Sequence, residues 1–175
     1  MIEAPVIETE RLMLRPHRAD DLEAYAAFMA ADRAHYIGGP YSRDDTWDTL
    51  MAGAGEWVLS GHGAWAVEAR HDGALAGRVN LSQPDKNPEP ELGWAVFDGF
   101  EGQGIAFEAA CAARESGFRT LGHDRSVSYI YPDNDRSTRF AERIGARPGP
   151  GAPAPEPEEG HLSCLVYVHH RGEMA

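Results

Sequence analysis

A pair of glycines between a strand-like stretch and a helix-like stretch limits the folds open to this chain more than any other feature. The junction reads FEGQGIAFE, from Phe100 to Glu108. The stretch before it, Glu91 to Phe97, has the composition of a strand, and Ala106 to about Arg119 predicts a helix that ends at Gly122. A strand, a glycine turn and a helix start leave backbone N–H groups free to bind phosphate oxygens, with no need for a cationic side chain.

The turn is not specific by itself. A glycine corner is also common at helix starts that bind nothing, so a structural role remains open. No Gly-Lys-Ser or Gly-Lys-Thr follows, which excludes a P-loop, and Phe107 breaks the spacing of a dinucleotide fingerprint. Gly93 interrupts the preceding strand and suggests a bulge or a close backbone approach.

The remaining pattern predicts one α/β domain over residues 1–175, with a mixed sheet of about six to seven strands flanked by helices. An acidic capping box at Asp20–Glu23 starts the first helix, and the second carries Trp47, Leu50 and Met51 inward. A loop over residues 149–160, rich in Pro, Gly and Glu, is expected to be mobile. The other predicted strands and helices are Arg11–Pro16, Leu22–Asp32, the helix opening at Ser42, Ala64–Ala69, Leu75–Leu81, Ser126–Tyr131, the helix capped by Asn134 and continuing through Ile144, and Leu162–His169.

Charge and composition exclude several classes of function. The net charge of -12 opposes nucleic-acid binding and is compatible with a cationic partner such as an amine, although it also simply favours solubility. Cys111 and Cys164 are far apart, and the histidines do not cluster, so we expect surface histidines and no metal site. With no apolar run of membrane length and no signal peptide, we expect a cytoplasmic protein without a membrane partner.

Three separated motifs resemble the GNAT N-acetyltransferase superfamily, over residues from Ile7 to Arg147. The stretch EGQGIA, from Glu101 to Ala106, corresponds to its glycine signature. The motifs ETERLMLRP, ELGWAV and PDNDRSTRFAERIGAR, in that order, are similar to the RimJ/RimL-type branch.

The resemblance implies a fold and a cosubstrate. Two parallel strands would splay apart at the bulged fourth strand, and acetyl-CoA would lie in the gap. Its pyrophosphate would bind the backbone N–H groups of Gly102, Gln103, Gly104, Ile105, Ala106 and Phe107. Its pantetheine arm would pair with the backbone of Val96 and Phe97, as an added strand does. Glu101 and Phe107 depart from the signature, because a carboxylate repels a diphosphate and Phe107 replaces a small hydroxyl residue.

The resemblance also implies candidates for the chemistry. Ser137 would protonate or hydrogen-bond the thiol, and Asn134 would bond the pantetheine, although both also fit an ordinary helix cap. Glu91 would be the general base acting through water, or else a solvated glutamate at the start of a strand. The tyrosine used by many members is replaced by Ala141. Four aromatic residues are interpreted first as packing residues and only second as residues of an acceptor pocket: Trp94, Trp65, Trp57 and Tyr41. Arg139 and Arg143 are candidates for contacts with the CoA phosphates, although a solvated helix face is the preferred interpretation for Arg143.

Three functions follow. The first is transfer of an acetyl group from acetyl-CoA to a primary amine by direct attack in a ternary complex. The second is a non-catalytic acyl-CoA sensor, which Glu101 and Phe107 favour, and the third is a phosphate-ligand domain independent of CoA. The acceptor cannot be read from the sequence, and the last strand, Leu162–His169, suggests a homodimer.

Overall fold

An open mixed sheet forms the centre of the computed structural model, which describes residues 4–120, 122, 124–157 and 163–172. Within these residues it has eight strands in the order β1-β2-β3-β4-β5-β6-β8-β7. Neighbouring strands are antiparallel except for β5 and β6, which are parallel. The strands are β1 Ile7–Glu8, β2 Leu12–Arg15, β3 Gly63–Ala69, β4 Leu75–Ser82, β5 Glu91–Val96, β6 Arg125–Ile130, β7 Arg147–Pro148 and β8 Leu165–His170.

Four α-helices and two short 3-10 helices complete the described fold. Helix α2 begins with the capping box of Ser42 and Asp45, and Asn134 caps α4 by accepting a hydrogen bond from the Ser137 N–H. The α-helices are α1 Leu22–Met29, α2 Arg43–Ser60, α3 Ile105–Thr120 and α4 Asp135–Arg143, and the 3-10 helices are Ala19–Asp21 and Asp32–Ile37.

Helices cover both faces of the sheet. Leu92 of β5 belongs to a core cluster with Ile105 and Ala109 of α3. Phe97, just after the strand, packs instead with Phe28 of α1 and Leu50 of α2. Because side chains alternate across a strand, these two clusters lie on opposite faces. β5 is therefore enclosed by helices, as a strand that carries a central site must be.

The predicted single-domain α/β fold is confirmed, with local corrections. Two short strands, β1 and β7, raise the strand count from the expected six or seven to eight. The first helix is not capped by a box from Asp20 to Glu23: its preceding turn is closed by Asp21, which accepts from the Arg18 N–H at 2.7 Å. The sequence pattern did not predict this arrangement, because a separate 3-10 turn, Ala19–Asp21, precedes the helix.

The predicted inward face of α2 is correct for Leu50 and wrong for Trp47 and Met51. Thr46, Leu50 and Trp57 are buried, whereas Trp47 is 37% exposed and Met51 is 51% exposed. The buried stripe faces β3, where the Trp57 indole N–H donates to the Ala64 carbonyl at 2.9 Å. Trp57 also packs edge-on against Trp65, so the interpretation of these two tryptophans as packing residues is confirmed.

Gly93 marks a close approach rather than a bulge. The β4–β5 ladder runs in unbroken register from the Gly77–Val96 pair to the Ser82–Glu91 pair. A Cβ on Gly93 would lie 2.5 Å from Oδ1 of Asn80, which pairs with it. The strand therefore needs glycine because the Asn80 side chain crosses its backbone.

The last strand lies inside the sheet. β8 pairs along its length with β6, and β7 covers part of its other edge. His169 is fully buried and the side chain of His17 is 4% exposed, so the expectation of surface histidines is wrong for these two residues, whereas His170 is exposed. Leu162, the predicted start of this strand, lies outside the described residues, and so do residues 158–160 of the predicted loop. A homodimer through β8 stays a prediction. Because β7 pairs with part of the outer edge of β8, less of that edge is open to a second copy than the sequence suggested.

Among the helices of the described ranges, none is both long and apolar enough to cross a membrane.

Candidate functional site

β5 and β6 form a wedge that opens after a single register pair. Glu91 pairs with Val127, and the Val127 N–H donates to the Pro90 carbonyl at 2.8 Å. Beyond this point the two strands diverge, as the predicted splay requires. The wedge lies between the carboxyl half of β5 and that of β6, where open α/β sheets bind ligands.

The backbone of β5 presents alternate residues to the wedge. The Phe97 N–H donates to Ala76 on β4 at 2.9 Å, so the odd-numbered residues bond toward β4. Trp94 and Val96 therefore direct their N–H and C=O groups toward the opening. The Val96 N–H faces the opening, as the predicted pairing with a pantetheine arm requires, and the Val96 carbonyl already accepts from Arg33. The Phe97 N–H is donated to Ala76, so the geometry does not favour the predicted pairing of Phe97 with the arm.

The glycine turn at the end of the wedge has the open backbone that the sequence predicted. Gly102 and Gly104 have φ angles of 72° and 78°, in the left-handed region that favours glycine. A Cβ on Gly102 would meet nothing within 4 Å, so the space above the turn is open. Helix α3 begins at Ile105, and the N–H groups of its first turn have no partner within the helix. The turn thus fits a diphosphate.

The fold surrounds this turn with arginines that are distant in sequence. Arg11 donates to the Gln103 carbonyl at 2.7 Å and pairs with Glu108 in the first turn of α3. The Arg143 guanidinium lies 5.4 Å from the centre of the Phe107 ring. The sequence pattern suggested a site with little positive charge, and the interpretation of Arg143 as part of a solvated face missed this contact.

Arg33, from the 3-10 helix Asp32–Ile37, neutralises the unusual acid of the motif. Its guanidinium bonds the carboxylates of Glu101 and Asp98, and it donates to the Val96 carbonyl at 2.8 Å. Burial raises the pKa of Glu101, but a backbone hydrogen bond and the Arg33 charge outweigh it, so the pKa is lowered. The Glu101 carboxylate is therefore an ionised partner of an arginine.

The other residues predicted to bind the cosubstrate make different contacts around the glycine turn. Gln103 donates through its side chain to the Gly99 carbonyl at 2.7 Å, which closes the turn. Val96, Ile105 and Ala106 line one narrow crevice together with Trp94. Phe107 packs against the core cluster of α3, so its ring does not fill the turn.

Ser137 and Asn134 lie at the start of α4. Asn134 Oδ1 accepts from the Ser137 N–H at 3.1 Å, so its role as a helix cap is confirmed. This leaves the amide NH2 of Asn134 for another partner. Phe140, one turn after Ser137, packs on Trp94 of β5 with ring centroids 4.6 Å apart. The aromatic contact ties α4 to the strand across the wedge.

Glu91 stands where the wedge begins. Its side chain is half-buried, and Oε2 accepts from the Asn87 amide at 2.8 Å. Burial raises its pKa above the ordinary value of 4.5, and the nearby Glu56 charge adds to this, against the lowering effects of Asn87, Arg78 and Lys86. A carboxylate with a raised pKa is a better base than a solvated one, so the environment matches the role predicted for Glu91.

Cys111 does not compete for the role of a nucleophile. It is half-buried on α3, and burial raises the pKa of its thiol. A reactive cysteine needs a lowered pKa, so this thiol is an ordinary packing residue.

Sequence reasoning missed Arg11 and Arg33 as site residues. Arg11 sits in the motif ETERLMLRP, so the resemblance placed it near the site only as part of a strand. Arg33 lies in a stretch without a motif, and only the three-dimensional fold shows that it reaches Glu101. Contacts between residues 68 positions apart cannot be found from local patterns.

Comparison with known proteins identifies the family. Residues 11–147 match the model described as "Acetyltransferase (GNAT) domain". The crystal structure of an acetyltransferase from Agrobacterium tumefaciens str. C58 superposes with a TM-score of 0.88 at 38% identity, covering 98% of this chain and 97% of that one. The uncharacterized N-acetyltransferase YoaA of Bacillus subtilis (strain 168) is 26% identical over 145 residues, 81% of this chain and 82% of its own length.

A more distant structure shares the fold alone. The microcin C7 self-immunity acetyltransferase MccE, solved in complex with acetyl-CoA and AMP, has a TM-score of 0.71 at 14% identity, over 93% of each chain. The wedge, the glycine turn and the order of elements agree with the family match over most of the chain. The protein belongs to the GNAT acetyltransferase family and is an acetyl-CoA-dependent acyltransferase.

Proposed function

We propose that the protein transfers the acetyl group of acetyl-CoA to a primary amine by direct attack in a ternary complex. The observation that carries this proposal is the combination, at one wedge, of an anion-binding turn and a carboxylate with a raised pKa. The motifs ETERLMLRP, ELGWAV and PDNDRSTRFAERIGAR support assignment to the RimJ/RimL-type branch. The acceptor is a protein N-terminus, an amino acid or a small-molecule amine.

The residues of the wedge would bind the cosubstrate mainly through the backbone. The N–H groups from Gly102 to Phe107 are the candidates for the diphosphate, with Arg11 beside the same turn. The edge of β5 at Trp94 and Val96 supplies the pairing groups for the pantetheine arm, and the Asn134 amide is a further donor. When bound, acetyl-CoA supplies an activated thioester carbonyl.

The chain's own side chains would manage the protons. Glu91 removes a proton from the acceptor ammonium through a water, because even a raised carboxyl pKa is far below the ~10 of an amine. Ser137 donates a hydrogen bond to the departing thiolate. No covalent enzyme intermediate is needed, because the amine is itself a sufficient nucleophile.

In the structure, Glu101 and Phe107 no longer favour a non-catalytic sensor. Glu101 is paired with Arg33, so its charge is compensated beside the diphosphate site. Phe107 is packed against the core and does not block the turn. Only a failure to transfer the acetyl group to any amine would then favour a non-catalytic sensor.

The test is calorimetric titration of CoA at near-physiological salt, followed by thiol release from acetyl-CoA with a panel of primary amines. We expect saturable CoA binding and amine-dependent release of the thiol. Saturable binding without turnover on any amine would support the sensor, and binding of free nucleotide but not CoA would support a CoA-independent phosphate ligand. The absence of any heat on CoA titration would remove the proposal.

A further inference from the structure

A buried chain of polar groups crosses the base of the wedge and takes no part in the proposed chemistry. It consists of Arg114 on α3, His169 on β8 and Ser128 on β6, which are 2%, 0% and 2% exposed. It ends at the carbonyl of Leu92 on β5. Polar groups this deeply buried are costly unless they are hydrogen-bonded, so their arrangement needs a reason.

The Ser128 hydroxyl bonds the acceptor that the next backbone hydrogen bond between β5 and β6 would use. Val127 bonds toward β5, so Tyr129, two residues later, also directs its N–H toward β5. Extending the pairing by one residue would require the Tyr129 N–H to donate to the Leu92 carbonyl. The structure shows no such pair, and the Ser128 Oγ donates to that carbonyl instead, at 2.6 Å.

The orientation of the remaining hydrogens follows from the donor and acceptor inventory. The single hydroxyl proton of Ser128 is given to Leu92, so the His169 Nε2, 2.9 Å from Ser128 Oγ, must carry a proton and donate it. The Nδ1 of His169 is then the acceptor that faces Nη1 of Arg114, at 3.5 Å. Burial, together with the charge of Arg114, lowers the pKa of His169 to about 3, which is consistent with one neutral tautomer.

Arg114 connects this chain to the helix that carries Ser137. Its Nη1 donates to the Ile144 carbonyl at 2.5 Å, at the carboxyl end of α4. A cation at that end is also favoured by the helix dipole. One continuous set of hydrogen bonds thus runs from α4 through α3, β8 and β6 to β5.

We propose that Ser128 is a positioning residue that holds the wedge open, and that His169 and Arg114 hold Ser128 in place. By occupying the Leu92 carbonyl, the hydroxyl stops β5 and β6 from pairing one residue further and leaves the Tyr129 N–H facing the opening. The effect on strand pairing is a property of the free protein. Only its consequence for CoA binding rests on the proposed function.

The decisive measurement is amide hydrogen exchange of Tyr129 in the ligand-free protein, compared between wild type and Ser128→Ala. Without the hydroxyl, we expect the Tyr129 N–H to pair with Leu92 and its exchange to slow by about tenfold, the effect of one added hydrogen bond. Ser126→Ala is the matched control, since Ser126 is equally buried on the same face of β6 and its hydroxyl has no hydrogen-bond partner. This control should leave Tyr129 exchange unchanged.

A second pair of variants tests the support of Ser128. His169→Gln retains a side-chain N–H that can donate to Ser128, whereas His169→Leu does not. We expect slowed Tyr129 exchange in His169→Leu and near wild-type exchange in His169→Gln. Equal exchange in wild type, Ser128→Ala and His169→Leu would overturn the proposal, because the hydroxyl would then have no influence on strand pairing.

The consequence for the cosubstrate is measured separately. CoA affinity of Ser128→Ala should fall by about tenfold, because the arm must first separate the newly paired residues. Slowed Tyr129 exchange with unchanged CoA affinity would confirm the effect on the strands and contradict the placing of the arm in this wedge.

Discussion

At the scale of single residues, Glu91 offers the clearest dependence of activity on pH. A general base works when deprotonated, so activity rises with pH through the pKa of Glu91, which burial places above 4.5. Glu91→Gln should lower kcat by about a hundredfold and remove this acid limb from the pH–rate profile. Glu89→Gln is the matched control, because Glu89 is a neighbouring carboxylate that pairs with Arg125. An unchanged profile in Glu91→Gln would exclude Glu91 as the base.

Ser137 provides a second test at this scale. Ser137→Ala should lower kcat by more than about tenfold with little change in the KM for acetyl-CoA, because the hydroxyl acts on the departing thiolate. Its backbone N–H, which bonds Asn134, is retained in this variant. Thr138→Ala removes a neighbouring hydroxyl that bonds the Asp135 carbonyl of the helix, and should leave kcat unchanged. Equal kcat in wild type and Ser137→Ala would remove Ser137 from the mechanism.

The Arg33–Glu101 pair predicts a non-additive effect on CoA binding. Arg33→Gln removes the cation that is hydrogen-bonded to the Glu101 carboxylate beside the glycine turn, so we expect CoA affinity to fall by about tenfold. The double variant Arg33→Gln/Glu101→Gln should recover most of this loss, since both charges are then absent. Affinities measured by calorimetry form a double-mutant cycle, and additive effects would show that the two residues act independently at the turn.

The residues of the candidate site differ in how far the sequence could identify them. Gly102 and Gly104 were predictable, because a left-handed turn at a helix start has few other solutions. Arg33 and the Arg114–His169–Ser128 chain were not, because each joins segments that are distant in sequence and shows no local periodicity. Phe97 was assigned a backbone role because the sequence does not tell which residues of a strand bond to which neighbour.

At the scale of the secondary-structure elements, two glycines predict opposite changes in stability. A Cβ on Gly77 of β4 would lie 2.3 Å from the Ala95 carbonyl oxygen of β5, so Gly77→Ala should destabilise by about 1–3 kcal/mol. Gly55 of α2 has open space around its Cβ position, and Gly55→Ala should stabilise by about 1 kcal/mol through helix propensity. Urea unfolding measures both, and destabilisation by Gly55→Ala would contradict the open surface there.

Whether a segment forms a strand or a helix could be predicted from the sequence more reliably than which of its faces is buried. Strands β3 to β6 and helices α3 and α4 follow from composition and caps, within one or two residues of the observed bounds. The face of α2 was not readable, because apolar residues occur on both of its sides: Leu50 is buried, whereas Val58 is 56% exposed. Which side packs is decided by β3, a partner that the helix pattern does not contain.

At the scale of the whole molecule, the site depends on an incomplete sheet. β5 and β6 are parallel neighbours that pair at one position, so the backbone of each remains available beyond it. Partly buried contacts across the opening, such as Trp94 on Phe140, keep the strands and α4 in place. The general order of strands and helices could be predicted from the sequence, but the width of the opening depends on these tertiary contacts.

Two buried histidines predict how the stability of the whole fold depends on pH. The side chain of His17 is 4% exposed and faces Arg78, Asp21 and Arg15, and burial lowers its pKa to about 4. Burial lowers the pKa of His169 to about 3, and the charges of Arg114 and His170 add to this effect. Both groups have an ordinary pKa of 6.5, so between this value and the lowered ones the unfolded chain holds more protons than the folded one.

The contribution of these two histidines to the free energy of unfolding should therefore be constant above about pH 7 and should fall as the pH decreases below 6.5, by about 1.4 kcal/mol per pH unit for each fully titrating histidine. The raised pKa values of Glu91 and Glu56 oppose this fall, because the folded chain takes up protons at these carboxyls before the unfolded chain does. Asp21, with a lowered pKa, adds to the loss only below about pH 3.8. Urea unfolding at pH 7, 6 and 5 measures the slope for wild type and for His169→Gln. The slope of the variant should be smaller than that of the wild type by up to about 1.4 kcal/mol per pH unit, because one of the two neutral imidazoles is gone. An identical slope would show that His169 takes up its proton without resistance from the fold.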